Sequence, residues 1–405
     1  MTRVAKLSVA ALLLLGVIVA GCGGGGDSSS TSSTAESTES ESGSAAFAPL
    51  PDSPEGVHAG FRPDSKEAKI GEEVGAEAGK PVSMPKKKVG LLLITGAVES
   101  AQIAASELEN AVAALGWETI TCDGQGDPTK MTNCMSTLLN QHVEAVFNLA
   151  VEPTLIRTQL AEAKTKGIPV FQYASITADD SAFTGSYDTL EAEGAEVLDD
   201  YLLPQLQEQP DRSTIALQLY AAGFAETRAA QLEEDLKSYP KVSIVATGNI
   251  DGVDPEGSTQ ANVSAQLIQY PDLGAIYSTF DSPTVSAARV VQTKYAGKKF
   301  PDRPLVVGFN VLPASLKGLR EGAIDAIVNV PNTPQAWIAA DQAAGFFARE
   351  KTPAKTNPEY PIEMIEPKLI TEDNVPASGG SFPPESDYSS FFIGKWKTEY
   401  SNLGG

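Results

Sequence analysis

The sequence predicts an α/β fold of two lobes, each a doubly wound parallel β-sheet. Short, continuous apolar runs recur along residues 86–376, as in strands that are buried on both faces. Segments with a helical apolar repeat separate these runs, so that helices connect consecutive parallel strands. A stretch rich in Ser, Thr, Asp and Gly at 174–188 interrupts the alternation. Two similar runs on either side of this break indicate two lobes.

The strands and helices of the first run follow from two patterns of apolar residues, a continuous run for a buried strand and a helical repeat for a helix. Val89–Ile94 is a continuous apolar strand, and Gly116 ends the helix after it. The strands are predicted over 89–94, 117–121, 143–149 and 168–173, and the helices over 99–116, 129–141 and 154–166.

The second run continues the same alternation up to residue 349. Its strands are predicted over 214–220, 242–247, 273–279, 305–309 and 324–330. Its helices are predicted over 190–206, 224–238, 257–269, 283–296, 313–321 and 334–349.

The N-terminus has the features of a lipoprotein export signal. Two positive charges precede an apolar run over 7–20, which is short for a membrane span. The run leads to Ala20, Gly21 and Cys22, which resemble the bacterial lipobox. We expect residues 1–22 to be a signal peptide and Cys22 to carry lipid that anchors the protein outside the cytoplasmic membrane. The alternative is an ordinary secretory signal with an incidental cysteine.

Residues 23–85 are predicted to be a disordered tether. Four glycines at 23–26 lead into a segment of mostly Ser, Thr, Glu and Gly, and the chain stays rich in Pro, Gly and charge to about residue 88. Such a composition buries too little apolar surface to fold.

Composition excludes several classes of function. The chain has 52 acidic and 30 basic residues, a net charge of −22, which argues against a nucleic-acid partner. Its two histidines, His58 and His142, are accompanied by no nucleophile elbow, no H-E-x-x-H and no P-loop motif. The sequence therefore predicts no catalytic residues, no metal site and no cofactor.

Two cysteines remain beyond Cys22. Cys122 ends a predicted strand and Cys134 lies early in the next predicted helix. In an oxidising compartment this even pair favours a disulfide, with two buried free thiols as the alternative.

Several short segments resemble one family of proteins. They are Lys87–Leu91, Leu115–Trp117, Gly167–Val170, Tyr270–Asp281, Val306–Asn310 and Leu369–Val375. In order and spacing they resemble the type I periplasmic binding proteins, the ribose-binding-like receptors of ABC sugar importers, over about residues 86–376.

The resemblance implies two lobes joined by three crossings, with a ligand in the cleft between them. The N-lobe is expected over about 86–174 and 331–365, and the C-lobe over about 186–330 and 366–376. Residues 377–405 are a C-terminal extension whose amphipathic segment is expected to pack on a lobe.

Ligand-facing positions are carried over from the family residue by residue, and they follow the ends of strands or open the helices after them. They are Thr95, Glu99, Tyr173, Phe224, Asn249, Asp251, Phe280, Asp281, Asn310 and Asn329. Asparagine amides offer both donors and acceptors to a hydroxylated ligand. Asp281 has the alternative role of capping a helix, Asn329 that of a hinge amide, and the aromatic residues that of core packing.

The chain also departs from the sugar-binding pattern. Ser100 and Ala101 occupy the places of an aromatic pair, and Ala174 falls where an Asp-Arg clamp is often found. The family's arginine would fall near Glu226, and Arg228 is interpreted as structural. A preference for pentoses therefore does not follow. Glu99, if it faces the ligand, would favour polyol or cationic ligands.

The resemblance implies a function in solute capture. We expect a monomeric, lipid-anchored receptor that delivers a small polar ligand, a sugar or polyol, to an ABC permease without any enzymatic step. A sensory receptor of the same fold that reports to a membrane partner is one alternative, and an extracytoplasmic enzyme is another.

Overall fold

The structure, a computed structural model, describes residues 61–175, 180–330, 333–364, 366–380 and 386–403. It confirms the predicted fold class, because these residues form two lobes, each with a largely parallel sheet flanked by helices. No helix in these ranges has both the length and the apolar content to cross a membrane. The predicted signal peptide, Cys22 and residues 23–60 of the predicted tether lie outside the described residues.

The N-lobe sheet has the strand order β2-β1-β3-β4-β5, and neighbouring strands are parallel. Its strands are β1 (Lys88–Leu93), β2 (Glu118–Asp123), β3 (Ala145–Leu149), β4 (Val170–Tyr173) and β5 (Gly185–Tyr187).

The C-lobe sheet has the strand order β11-β10-β9-β8-β6-β7. Its strands are β6 (Thr214–Leu219), β7 (Ser243–Asn249), β8 (Ala275–Ser278), β9 (Leu305–Phe309), β10 (Ala326–Asn329) and β11 (Lys368–Thr371). The last strand runs antiparallel to β10, whereas the other pairs are parallel.

The α-helices alternate with these strands along the chain. They are α1 (Lys66–Glu77), α2 (Glu99–Ala114), α3 (Pro128–Asn140), α4 (Arg157–Lys166), α5 (Glu191–Gln207), α6 (Gly223–Asp235), α7 (Pro255–Gln269), α8 (Asp281–Lys294), α9 (Pro313–Arg320), α10 (Pro334–Arg349) and α11 (Tyr388–Glu399).

Local sequence explains where several helices begin and end. The side chains of Asp127 and Asp254 accept hydrogen bonds from backbone N–H groups in the first turns of α3 and α7, and a proline follows each aspartate. Gly167 ends α4 in the left-handed conformation, with φ of 70°. The bounds predicted from the sequence are therefore close to those observed.

The tether prediction is wrong for residues 61–85, because α1 forms there. Ser65 caps this helix by accepting a hydrogen bond from Ala68 N. The helix packs on α11, and its backbone comes so close that a Cβ on Gly71 would lie 2.0 Å from Phe391 O. A composition rich in glycine predicts disorder, whereas in the structure glycine permits close contact between two helices.

The predicted lobe boundaries also need correction. β5 pairs with β4, so residues 185–187 belong to the N-lobe sheet, whereas the C-lobe was predicted to begin at 186. This strand is short and polar, so the search for apolar runs does not predict it. The C-terminal extension carries α11, whose Phe392 and Trp396 stack on Trp337 of α10 in the core shared with the N-lobe sheet.

Cys122 and Cys134 form a disulfide, with an S–S distance of 2.06 Å and a Cα–Cα distance of 5.4 Å. It joins the carboxyl end of β2 to the middle of α3. Of the two alternatives left open by the sequence, the structure therefore contains the disulfide.

Candidate functional site

A cleft lies between the two lobes where the strands of both sheets end. It encloses about 650 Å³ of empty space, the solvent at its mouth included. Most of its lining follows the carboxyl ends of β1, β3, β4, β6, β8 and β9, which is the edge at which open α/β sheets bind ligands. The lining residues are Ile94, Thr95, Val98, Ser100, Ala101, Leu149, Ala150, Ala174, Thr189, Glu191, Tyr220, Phe224, Arg228, Gly252, Pro255, Phe280 and Asn310.

Two walls of different character face each other across the cleft. The C-lobe wall is aromatic: the ring centroids of Tyr220, Phe224 and Phe280 are 5.9–6.2 Å from one another. The N-lobe wall is largely aliphatic, with Ile94 and Leu149 as its larger members. The rings are tilted by 41–87° to one another and form an apolar surface that can pack against the C–H groups of a ring-shaped ligand.

Asn310, predicted from the sequence, lies in this cleft. It follows β9 with φ of 66° and is 8% exposed. Its Nδ2 atom donates to Asp281 Oδ1 at 3.4 Å, while its Oδ1 atom has no hydrogen-bond partner among the described residues. A buried acceptor without a partner is costly, so it marks a place for a ligand donor.

Thr95, Phe224 and Phe280 are also brought into the cleft as predicted positions. The Thr95 hydroxyl accepts a hydrogen bond from Ala97 N at 3.1 Å, and its own O–H can still donate. Phe280 is 5% exposed and comes directly before α8.

Asp281 and Glu99 lie beside the cleft and are not among its lining residues. Asp281 begins α8, and its Oδ1 atom accepts a hydrogen bond from Ser100 Oγ at 2.7 Å across the two lobes. Burial raises the pKa of Asp281, an effect that the Ser100 hydroxyl opposes. The pKa of Glu99 is raised by burial and then by the negative charge of Asp281. Glu99 therefore borders Asp281, and a direct contact with ligand is not supported.

Four predicted positions lie outside the cleft. Tyr173 is fully buried in the N-lobe core, where its hydroxyl donates to Ala104 O at 3.4 Å. Asn249 and Asp251 are exposed and do not line the cleft, although Gly252 and Pro255, which follow them, do. Asn329 pairs with Lys368 of β11 at the antiparallel edge. Whether a side chain near a strand end faces the cleft, the core or solvent depends on tertiary packing, which the sequence does not reveal.

A buried ion pair joins Arg228, interpreted from the sequence as structural, to Glu191, which no sequence motif singled out. Arg228 Nη2 lies 2.5 Å from Glu191 Oε2, and Arg228 Nη1 donates to Thr279 O at 2.5 Å. The Thr189 hydroxyl donates to the other oxygen of Glu191. The guanidinium also lies 4.3 Å from the ring centroid of Phe309. The two charges thus compensate each other, and no motif links residues 37 positions apart.

Among the described residues, several contacts join the two lobes around the cleft. Besides the bond between Ser100 and Asp281, Glu152 Oε1 accepts a hydrogen bond from Gly223 N, at the start of α6, at 2.7 Å. The backbones of Gly126 and Gly252 meet so closely that a Cβ on Gly126 would lie 2.0 Å from Gly252 O. These contacts define a closed arrangement of the lobes.

The chemistry of the lining fits binding. Its one carboxylate, Glu191, is paired with Arg228, and neither histidine nor cysteine occurs among the lining residues. The described residues contain no group of three or more His, Cys, Asp or Glu side chains arranged to hold a metal ion.

Comparison with known proteins identifies the family. A family model described as a periplasmic binding protein domain matches residues 91–351. The ribose import binding protein RbsB of Bacillus subtilis (strain 168) is 25% identical over 218 residues, which make up 53% of this chain and 66% of that protein. The match thus spans slightly less than two thirds of this relative.

Solved structures share the fold at low sequence identity. An ABC transporter solute-binding protein from Burkholderia graminis C4D1M, in complex with D-arabinose, has a TM-score of 0.63 at 19% identity and covers 74% of this chain and 99% of its own. One from Agrobacterium vitis with bound allitol has a TM-score of 0.62 at 20% identity, covering 72% and 98%. One from Mycobacterium smegmatis with bound glycerol has a TM-score of 0.61 at 18% identity, covering 74% and 100%.

At these identities the solved structures establish the fold, while the family model, matched over residues 91–351 of 405, establishes the relationship. Both agree with a cleft between two α/β lobes. The chain belongs to the type I periplasmic binding proteins.

Proposed function

We propose that this protein is a lipid-anchored solute receptor outside the cytoplasmic membrane, which captures a small hydroxylated ligand, a sugar or polyol, and delivers it to an ABC importer. The observation that carries the proposal is the buried cleft between the lobes, in which Asn310 Oδ1 lacks a partner among the described residues. Relatives named for ribose, D-arabinose and allitol support this ligand class.

Capture requires only that the two lobes of a monomer move relative to each other. A ligand hydroxyl donates to Asn310 Oδ1, Thr95 donates to a ligand oxygen, and the aromatic wall covers one face of the ring. Closing then forms the contacts of Ser100 with Asp281 and of Glu152 with Gly223. The permease recognises the closed form and opens it, which releases the ligand. No bond of the ligand is made or broken.

A thermal-shift screen of the full chain against sugars, polyols, nucleosides and amino acids tests the ligand class. A ligand at a hundred times its dissociation constant stabilises the folded state by about 2.7 kcal/mol, which gives a clear rise in melting temperature. If no sugar or polyol raises the melting temperature, the result would count against the proposal.

The variant Asn310→Gly should abolish the shift given by a hit. Glycine adopts the observed φ of 66° without strain, so the substitution removes only the side chain. The matched control is Asn249→Gly, at an exposed position outside the cleft, which should leave the shift unchanged. An unchanged shift for Asn310→Gly would place the ligand elsewhere.

The lipid anchor is tested separately. Support for it comes from the sequence before Cys22. In a bacterial host that processes lipoproteins, Cys22→Ala should move the protein from the membrane fraction to the soluble or secreted fraction. The control is Cys134→Ala, at a cysteine that forms the disulfide, and this variant should stay in the membrane fraction. Retention of Cys22→Ala in the membrane fraction would contradict lipid anchoring.

A further inference from the structure

We propose that the cleft selects hydroxylated rings that carry a broad deoxygenated or methylated surface, such as deoxy sugars and methyl glycosides, over fully hydroxylated monosaccharides. This inference rests on the proposed function of the same cleft and specifies its ligand class. It follows from the number of polar groups that the cleft leaves available and from the character of its walls.

Most polar side chains of the lining are already engaged within the protein. Ser100 donates to Asp281, and Thr189 donates to Glu191. Glu191 also receives the Nε and Nη2 groups of Arg228, whose Nη1 group donates to Thr279 O. A ligand hydroxyl that approaches these groups must compete with charge-assisted hydrogen bonds, which are the stronger kind.

The groups that remain suit a ligand with few hydroxyls. Asn310, 8% exposed, leaves its Oδ1 atom without a partner among the described residues, and this atom accepts one donor. The Thr95 hydroxyl accepts from Ala97 N and retains its own O–H as one donor. The hydroxyl of Tyr220, which also lines the cleft, adds one group that can donate and accept. Together these side chains satisfy about two or three ligand hydroxyls, fewer than the five of a hexopyranose.

The two walls disfavour additional hydroxyls. Tyr220, Phe224 and Phe280 present rings from the C-lobe, and Ile94 and Leu149 present aliphatic groups from the N-lobe. A hydroxyl pressed against either wall loses its hydrogen bonds to water and gains none, whereas a C–H or methyl surface is favoured there. Each hydroxyl so placed should weaken binding about tenfold.

Matched ligand pairs test the inference on the full chain. Isothermal titration compares D-fucose with D-galactose, L-rhamnose with L-mannose, and methyl α-D-glucopyranoside with D-glucose. We expect the deoxygenated or methylated member to bind about tenfold more tightly in the pair that the cleft accepts. Tighter binding of the fully hydroxylated member would overturn this inference and leave the receptor function intact. No binding by any pair would count against both.

A polar substitution in the lining provides a second test. Ala174, 8% exposed, lines the cleft, and Ala174→Ser adds one hydroxyl with little change of volume. This variant should reduce the preference for the deoxygenated member several-fold. Ala97→Ser makes the same change at an exposed position outside the lining and should keep the preference. If both variants and the original protein prefer the deoxygenated member to the same extent, the polarity of the lining does not set the selectivity.

Discussion

Asp199 on α5 is a buried carboxyl that lies beside a second carboxyl. It is 1% exposed, and its neighbours include Asp235 of α6 and Tyr277 of β8. Burial, and after it the negative charge of Asp235, together raise the pKa of Asp199 to about 9. Asp199 is therefore protonated at neutral pH, and the chain must take up a proton when it folds.

We expect Asp199→Asn to stabilise the protein at pH 8 by about 1–3 kcal/mol, because a neutral amide needs no proton. The pKa of Asp199 is higher in the folded state than its ordinary value of 3.8. Its contribution to stability is therefore present below about pH 4 and is lost as the pH rises toward 9.

Urea denaturation at pH 4, 6 and 8 measures this dependence. The advantage of Asp199→Asn should grow with pH and disappear near pH 4. The control is Asp302→Asn, at an exposed position in the loop before β9, which should show little change with pH. A variant that is less stable than the original protein at pH 8 would contradict the assignment.

At the scale of elements, α1 and α11 join the two ends of the described chain. Their backbones approach through glycines: a Cβ on Gly394 would lie 2.4 Å from Ala68 O, and one on Gly75 would lie 2.3 Å from Lys395 O. Arg62 Nε also donates to Asp387 Oδ2 at 2.7 Å. The helix pair therefore belongs to the folded body.

We expect Gly394→Ala to lower the free energy of unfolding by about 1–3 kcal/mol, because the added methyl group meets backbone. Gly345→Ala on α10 is the matched control. Its Cβ would contact only the Lys351 side chain at 3.5 Å, so better helix propensity should raise stability by about 0.5–1 kcal/mol. Thermal unfolding should therefore show shifts of opposite sign, and equal shifts would contradict the packing.

The disulfide between Cys122 and Cys134 closes a short loop from β2 into α3. The double variant Cys122→Ser, Cys134→Ser should lose about 3 kcal/mol of stability, the value typical of a loop of this length. A reducing agent should destabilise the original protein by a similar amount and leave the double variant unaffected. Denaturation curves with and without reductant measure both effects, and a reductant-insensitive original protein would argue against the bond.

At the scale of the whole molecule, closure brings two backbone segments into contact. Gly126 follows β2 in the N-lobe and Gly252 follows β7 in the C-lobe. Their approach leaves no room for a Cβ, which on Gly126 would lie 2.0 Å from Gly252 O. Gly126 also has φ of 69°, which favours glycine.

We expect Gly126→Ala to weaken binding of a ligand found in the screen at least about tenfold, because the closed form is then blocked. Gly297→Ala is the matched control: its φ is 73°, and its Cβ would meet nothing within 4 Å. Both variants carry the same backbone strain, and only Gly126→Ala also obstructs closure. Titration measures the affinities, and equal affinities would show that closure does not require this contact.

Part of the candidate site followed from local rules. Thr95, Phe280 and Asn310 were predicted because each follows a buried strand, and the structure places all three in the cleft. Asn249 ends β7, but its exposed side chain is not part of the lining, to which Gly252 and Pro255 of the following segment contribute. The direction of a side chain at a strand end is set by packing between distant segments, and the apolar pattern of one strand carries no record of its neighbours.

The sequence alone determined the alternation of strands and helices, the two α/β lobes and the family, because apolar periodicity and short motifs are local properties. Tertiary structure decided the pairing of Glu191 with Arg228, the contact of Ser100 with Asp281 and the packing of α1 on α11. These contacts join residues 37, 181 and more than 300 positions apart. They depend on how backbones approach in space, which no spacing in the sequence encodes.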